Sequence, residues 1–269
     1  MVYGVHHLPL GTDVTVNSTR RISIVTGALF VGATVAALAA AALLPTLTGT
    51  DYLTGVADHT NQMAASALAY LIAAGTSVGI AIALYPLLKR TNAALALGAV
   101  VFRAIEAVFY TAAVVSLLSL STLGQQLATA PAADRGPIQA MAGYALSVRD
   151  HSTLVAVFSF SLGAFMYYVV FYRSRLVPRW LSGWGIAAAL LMGTACLLSL
   201  FSNTPVVDYK LLILPIAIQE MVLAVWLLTK GFTRKVKDGT PITASSADPA
   251  HHGVPQTDLH LGSGSPVPA

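Results

Sequence analysis

Six apolar stretches, each about as long as the ~20-residue helix that crosses a bilayer, decide what this chain can fold into. Only 10% of its 269 residues are charged and 56% are hydrophobic, whereas a soluble domain carries about 25% charged residues. We therefore predict an all-α polytopic membrane protein, built as a six-transmembrane-helix bundle. The predicted spans run over residues 22–45, 62–88, 93–120, 152–172, 180–201 and 210–230.

Basic residues flank these stretches unevenly. Eleven Lys and Arg residues fall on one side of the predicted membrane and three on the other. The positive-inside rule then predicts that both termini are cytoplasmic. The net charge of +4 thus reflects membrane orientation and indicates no nucleic-acid partner. The eleven are Arg20, Arg21, Lys89, Arg90, Arg173, Arg175, Arg179, Lys230, Arg234, Lys235 and Lys237.

Composition divides the chain into three parts. Residues 1–19 form a predicted N-terminal cytoplasmic tail, and residues 20–233 form the six-span membrane domain. Residues 234–269 are rich in Pro, Gly, Ser and Ala and lose the apolar periodicity. Such a segment buries too little apolar surface to fold, so we predict a disordered cytoplasmic tail.

The longest predicted outer loop, residues 121–151, carries apolar residues at helical spacing after Pro137. Proline suits the first position of a helix. Two structures fit this pattern: a short helix on the outer membrane surface, or an early start of the fourth span. We expect the surface helix.

Three charged residues lie well inside predicted spans, away from the span ends: Arg103, Glu106 and Glu220. Each charge at the bilayer centre costs about 2.5–3.5 kcal/mol on insertion scales, so such residues usually face a bundle interior and pair. Counted from Asn92, Arg103 lies roughly 16 Å into the third span, and Glu220 lies roughly 15 Å from Lys230 in the sixth. Glu106 follows Arg103 by one helical turn. We predict that the guanidinium contacts both carboxylates.

This predicted cluster carries a net charge of −1 if all three groups ionise. Because an uncompensated buried charge is costly, we expect one glutamate to keep its proton. A carboxyl of this kind binds a cation or relays a proton; the alternative is a cluster that only fixes helix packing. Tyr70, at mid-depth in the second span, either donates to a glutamate or packs.

Polar residues at the outer ends of two spans are further candidates. His59 precedes the second span, and Asp150 and His151 precede the fourth. An Asp-His pair at a helix entrance serves as a metal ligand or proton shuttle, although helix entrances are polar in any case. The sequence predicts no metal site and assigns no cofactor. It also lacks phosphate-loop, dinucleotide and zinc-protease motifs, which argues against those chemistries.

Three stretches resemble the bacterial membrane proteins grouped as domain of unknown function family 4386. The resemblance covers roughly residues 20–233. The first stretch is Tyr85-Pro-Leu-Leu-Lys-Arg with Phe102-Arg-Ala-Ile-Glu-Ala. The second is Asp150-His151 with Tyr172-Arg-Ser-Arg-Leu-Val-Pro-Arg. The third is Leu214-Pro-Ile-Ala-Ile-Gln-Glu with Trp226-Leu-Leu-Thr-Lys-Gly.

The resemblance implies a compact six-helix protein of the bacterial plasma (inner) membrane. It places family positions at Arg103, Glu106, His151 and Glu220, and it implies no activity. A glycine often follows the family histidine shortly, whereas Ser152 and Thr153 follow it here.

We expect the chain to bind or transport a small molecule or lipid, with the bilayer as its surroundings. Its pocket would open outward between spans two, three, four and six, with Arg103 holding an anionic group and a glutamate handling a proton. The alternatives are an intramembrane enzyme acting on a lipid, with Glu106 or Glu220 as general acid or base, and a sensory or assembly factor. The sequence does not indicate an oligomeric state.

Overall fold

The computed structural model describes residues 12–49, 51–202 and 204–233. This part of the chain is helical and contains no strand. A 3-10 turn, Val206–Asp208, precedes the last helix. The helices are α1 (Thr12–Leu43), α2 (Tyr52–Asp58), α3 (Thr60–Leu88), α4 (Ala93–Thr129), α5 (Ala132–Ser174), α6 (Arg179–Ser202) and α7 (Lys210–Thr229).

Six of these helices are long and apolar enough to cross a membrane: α1, α3, α4, α5, α6 and α7. They correspond in order to the six predicted spans, so the all-α six-span prediction is confirmed. The chain is an integral membrane protein. Helix α1 already begins at Thr12, inside the segment assigned to the N-terminal tail. The predicted tail at 234–269 lies outside the described residues.

The six long helices form a closed ring in which each packs against its neighbours in sequence, and α7 packs against α1. Neighbouring helices are antiparallel, as the contacts Ser66–Ala40 and Ser23–Leu227 show. The ends that carry Arg20, Lys89 and Lys230 therefore lie at one end of the ring, which we call the basic end. The opposite end is called the far end.

The prediction of a loop at 121–151 is wrong, because nearly all of this segment is helical. Helix α4 continues to Thr129 and α5 begins at Ala132, so the expected separate surface helix is instead an early start of the fourth span. At ~1.5 Å per residue, these helices are roughly 55 and 65 Å long and outreach a ~30 Å hydrocarbon layer. Pro137 lies in the second turn of α5, where its missing N–H removes only one early hydrogen bond.

A small apolar cluster at the far end supports this long hairpin. Leu53 and Val56 of α2 pack against Leu120 of α4 and Ala142 of α5. Gly124 permits the close approach, since a Cβ there would lie 2.9 Å from the Leu53 carbonyl oxygen. Helix α2 was not predicted, because hydropathy alone does not show a two-turn helix between spans.

Candidate functional site

Arg103 lies inside the ring, 1% exposed, and its guanidinium joins four helices. Nη1 donates to Ser77 Oγ of α3 at 2.7 Å and to Glu106 Oε2 at 3.2 Å. Nη2 donates to Tyr167 Oη of α5 at 2.9 Å and to Glu220 Oε1 of α7 at 3.4 Å. The structure thus brings Arg103, Glu106 and Glu220 together, as their depths predicted. We call these three residues the charged cluster.

The ring of Phe160 covers one face of Arg103, with 3.8 Å between the guanidinium carbon and the ring centroid. A cation over an aromatic face is attracted by the ring quadrupole, and the attraction grows when water is absent. The Nε of Arg103 is buried and has no hydrogen-bond partner in the described part of the chain. Packing on α5 therefore holds the guanidinium in one position.

The two carboxylates of the charged cluster have different surroundings. Glu106 is 4% exposed, and its two oxygens lie 2.9 and 3.0 Å from the Ser77 hydroxyl. Glu220 is 12% exposed, and its Oε1 accepts from Tyr167 Oη at 3.0 Å. No hydrogen bond from any described residue reaches Glu220 Oε2. Glu106 is enclosed by protein, whereas Glu220 presents one free oxygen.

A cavity of about 250 Å³ adjoins the charged cluster. The prediction placed spans two, three, four and six around the pocket; the structure adds the first and fifth. The side chains of α1 and α6 were missed because neither helix carries a charged residue there. The lining residues are Ala33, Thr34, Ala37, Leu38, Tyr70, Ala73, Ser77, Ile80, Arg103, Glu106, Tyr110, Phe160, Met192, Ile213, Ile216, Ala217 and Glu220.

Tyr70 lines this cavity but donates no hydrogen bond to a glutamate. Its ring stacks on Tyr110, with centroids 6.3 Å apart and planes at 19°. Ser77, seven residues after Tyr70 on the same helix face, contacts Glu106 instead. Sequence reasoning missed Ser77 and Tyr110, although the spacing of Arg103, Glu106 and Tyr110 at i, i+3 and i+7 indicated one shared face.

A second polar network lies beside the charged cluster. Tyr168 Oη donates to Gln219 Oε1, and Gln219 Nε2 donates to the Leu181 carbonyl oxygen at 3.1 Å. Tyr168 and Gln219 are completely buried. We call these groups the neutral network. Gln219 points away from Glu220, as expected for adjacent residues on a helix, and it joins α7 to α5 and α6.

Asp150 and His151 lie near the far end and take no part in the charged cluster. Asp150 Oδ1 accepts from Arg149 Nη1 at 2.9 Å, and His151 Nδ1 lies 2.7 Å from the Ser147 carbonyl oxygen. Both residues border a separate cavity of about 390 Å³ between α5, α6 and the residues Thr204 and Pro205 that precede the 3-10 turn. Nine residues separate His151 from Phe160, a distance of roughly 14 Å along the helix.

His59 also lies apart from the charged cluster, between α2 and α3. Its Nδ1 is 2.8 Å from the Gly55 carbonyl oxygen, and the side chain is exposed. Among the residues that the structure describes, no group of three His, Cys, Asp or Glu side chains is arranged to hold a metal ion. The site with enclosed charges and adjoining space is therefore the one at Arg103.

Comparison with known families gives one match. The model of the family described as Domain of unknown function (DUF4386) matches residues 25–231. This range runs from within α1 to the end of α7 and includes the whole charged cluster. The curated proteins and the solved structures contain no match.

Proposed function

The chain belongs to the DUF4386 family, whose name assigns no activity, and we propose that it binds or transports a small molecule or lipid in the cavity at the charged cluster. The observation that carries the proposal is the free oxygen of Glu220 beside about 250 Å³ of open space. Arg103, Glu106 and Ser77 hold the polar wall in position, and Glu220 meets the ligand.

The cost of an unfilled cavity supports the proposal that this one holds a ligand. Protein interiors are close-packed, and an unfilled void costs stability. A polar group that serves only to fix helix register is usually enclosed by its partners. Both glutamates border the cavity, but both oxygens of Glu106 have protein partners, whereas Glu220 Oε2 has none among the described residues. The combination of charge, space and a free oxygen favours a binding site over packing alone.

The charge of the cluster supplies a transport mechanism. One guanidinium and two carboxylates sum to −1 when all three ionise, which the interior disfavours without a proton or a cation. A proton on Glu220 would neutralise the empty site, and release of that proton would accompany binding of a positive group. Such an exchange couples ligand movement to a proton gradient.

Orientation and location belong to the same proposal. The basic end carries Arg20, Lys89, Arg90, Arg173 and Lys230, and the positive-inside rule assigns such an end to the cytoplasm. We propose a bacterial plasma membrane protein with both termini inside. Reporter fusions after Lys230 should be active only as cytoplasmic reporters; activity of a periplasmic reporter there would reverse the orientation.

The binding proposal is tested on protein purified in nanodiscs that retain native lipids. Native mass spectrometry should find a bound species on the wild type that is absent from Glu220→Gln. Asp134→Asn removes an exposed carboxylate from the α4–α5 hairpin at the far end, and this control variant should retain the bound species. Equal adducts on all three proteins, or none on the wild type, would contradict binding at this site.

Transport is tested after reconstitution in vesicles with a pH gradient. The species identified by mass spectrometry should move with a coupled proton flux in the wild type, and Glu220→Gln should abolish the coupling. Retained binding without movement would restrict the function to binding.

A further inference from the structure

Arg103 has no terminal N–H left for a ligand. Its four terminal hydrogens point to Ser77, Glu106, Tyr167 and Glu220. Its remaining N–H, on Nε, is buried against protein. Arg103 therefore offers no accessible donor to the expected anionic group, and the free polar atom of the charged cluster is the acceptor Glu220 Oε2. Among the described residues that line the cavity, Arg103 is the only basic one. An anion would meet a carboxylate there, whereas a cation would meet its counter-charge.

Aromatic side chains complete the polar wall. Tyr70 and Tyr110 line the cavity as a stacked pair, and neither hydroxyl has a hydrogen-bond partner within the described ranges. Aromatic faces attract ammonium groups, including quaternary ones. Phe160 contributes less, because Arg103 already covers its face.

The two helices that close the ring separate beside this cavity. Near the basic end, Ser23 Oγ donates to the Leu227 carbonyl oxygen at 2.7 Å. A Cβ on Gly27 would lie 2.8 Å from Leu228 Cγ, so the helices touch closely there. Towards the far end, the facing segments of α1 and α7 line the cavity instead.

The side chains at this separation face the surroundings of the protein. Leu38 lines the cavity and is 66% exposed, and Ala37 beside it is exposed too. Val35 of α1 and Leu214 of α7, at similar depth, are 60% and 52% exposed. Lipid chains occupy these surroundings in a membrane. The cavity therefore has a sideways mouth between α1 and α7, within the half of the bundle nearer the far end.

We propose that the ligand is a cationic amphiphile, with its ammonium head at Glu220 and its apolar chain in the mouth between α1 and α7. This inference rests on the proposed function and names its ligand class. The volume supports it: about 250 Å³ is below the ~300–1,000 Å³ of sites that enclose a drug-sized ligand. A head group with a few carbons fits the cavity, and the remaining chain lies outside it.

Three photoreactive amphiphiles test the ligand class. They share one diazirine-bearing alkyl chain and differ only in the head: ammonium, hydroxyl or carboxylate. Each is added to the protein in phosphatidylcholine nanodiscs, and labelled peptides are found by mass spectrometry. The ammonium probe should label α1 and α7 near the mouth saturably. A charge-assisted hydrogen bond predicts that Glu220→Gln lowers this labelling about tenfold or more.

A matched pair of variants tests the mouth without touching the cluster. Ala37→Trp fills the mouth and should lower labelling by the ammonium probe about as strongly as Glu220→Gln does. Val35→Trp adds the same ring to the lipid-facing side of α1 and should leave labelling unchanged. A non-photoreactive alkylammonium of the same chain length should compete, and a short-chain ammonium should not.

The outcomes separate this inference from the proposed function. Saturable labelling by the carboxylate or hydroxyl probe that equals or exceeds that of the ammonium probe overturns the cationic class but keeps a ligand site. Competition by the short-chain ammonium overturns the amphiphile in favour of a water-soluble cation. Saturable labelling by none of the probes also overturns the inference; the adduct on the purified protein then decides separately whether the site binds anything.

Discussion

Two buried polar networks lie side by side between α5 and α7, and they differ in what they leave unpaired. Tyr167 of α5 donates to Glu220 of the charged cluster. The next residue on α5, Tyr168, and the preceding residue on α7, Gln219, belong to the neutral network. The neutral network is enclosed and satisfied by protein groups. The charged cluster keeps a free carboxylate oxygen, Glu220 Oε2, beside a cavity.

The difference distinguishes polar residues that only hold helices together, as in the neutral network, from polar residues that can bind a ligand, as in the charged cluster. In the neutral network, Gln219 donates to the Leu181 carbonyl oxygen, and the ring of Tyr168 packs against Gly185. Each polar side-chain atom of Tyr168 and Gln219 has a protein partner, and both side chains are completely buried. Burial of a polar group in a membrane bundle is therefore weak evidence of function by itself. A site needs an unsatisfied group and space next to it.

Removal of Arg103 should have the largest effect. Arg103→Met leaves the carboxylates of Glu106 and Glu220 inside the bundle without their cation, and loss of one partner of a buried ion pair costs about 3–5 kcal/mol. We expect a large fall in the thermal midpoint, or no folded protein, by fluorescence-detected size-exclusion chromatography. The triple variant Arg103→Met with Glu106→Gln and Glu220→Gln should recover much of the loss.

Arg149→Met is the matched control, because its partner Asp150 lies at the far end. The two side chains of that pair are 13% and 28% exposed, so its loss should cost about 0–1 kcal/mol. A midpoint of Arg103→Met equal to that of Arg149→Met would contradict a tightly coupled cluster.

The neutral network is sensitive to volume. A Cβ on Gly185 would lie 2.5 Å from Tyr168 Cδ1, so Gly185→Ala must displace this ring, which also contacts the rings of Tyr167 and Phe171. Overpacking of this kind costs about 1–3 kcal/mol. Gly183→Ala is the control, since its Cβ would meet only Tyr172 Cε2 at 3.8 Å. The thermal midpoint should fall for Gly185→Ala and not for Gly183→Ala. Ligand labelling per folded molecule should be unchanged in both variants. Equal midpoints of the two variants would show that the Tyr168 ring has room to move.

The two glutamates should respond differently to the same change. A glutamine at 106 buries two amide hydrogens among the donors Arg103 and Ser77, which costs about 1–3 kcal/mol. A glutamine at 220 can turn its amide towards the cavity, so its cost should stay below about 1 kcal/mol. Unfolding midpoints and adduct retention together give the test. Glu106→Gln should lower the midpoint more than Glu220→Gln does, and Glu220→Gln should lower the amount of bound adduct more than Glu106→Gln does. The opposite pattern would assign the ligand to Glu106.

Hydropathy and depth predicted the parts of this structure that depend on position along one helix. Span length and apolarity are local properties, so all six spans were found. Arg103 and Glu220 were paired by counting residues from the membrane surface, because antiparallel helices that share a depth can meet. His151 was predicted at the outer end of its span and was named as a pocket candidate, but it borders a separate cavity.

Properties set by neighbouring helices were not predictable in this way. The spans are apolar on most sides, so their sequences do not show how each helix is rotated, and Ser77 and Tyr167 were missed as partners of Arg103. The continuation of α4 and α5 past the membrane depends on packing against Leu53 and Val56 of α2. Hydropathy does not register these contacts.

A cryo-EM map of the protein in nanodiscs of native lipids tests the central claim most directly. The account predicts density in the cavity within hydrogen-bond distance of Glu220 Oε2, continuing between α1 and α7, in the wild type and not in Glu220→Gln. A wild-type map in which side chains close the cavity, or in which Glu220 pairs only with protein groups as Gln219 does, would contradict it.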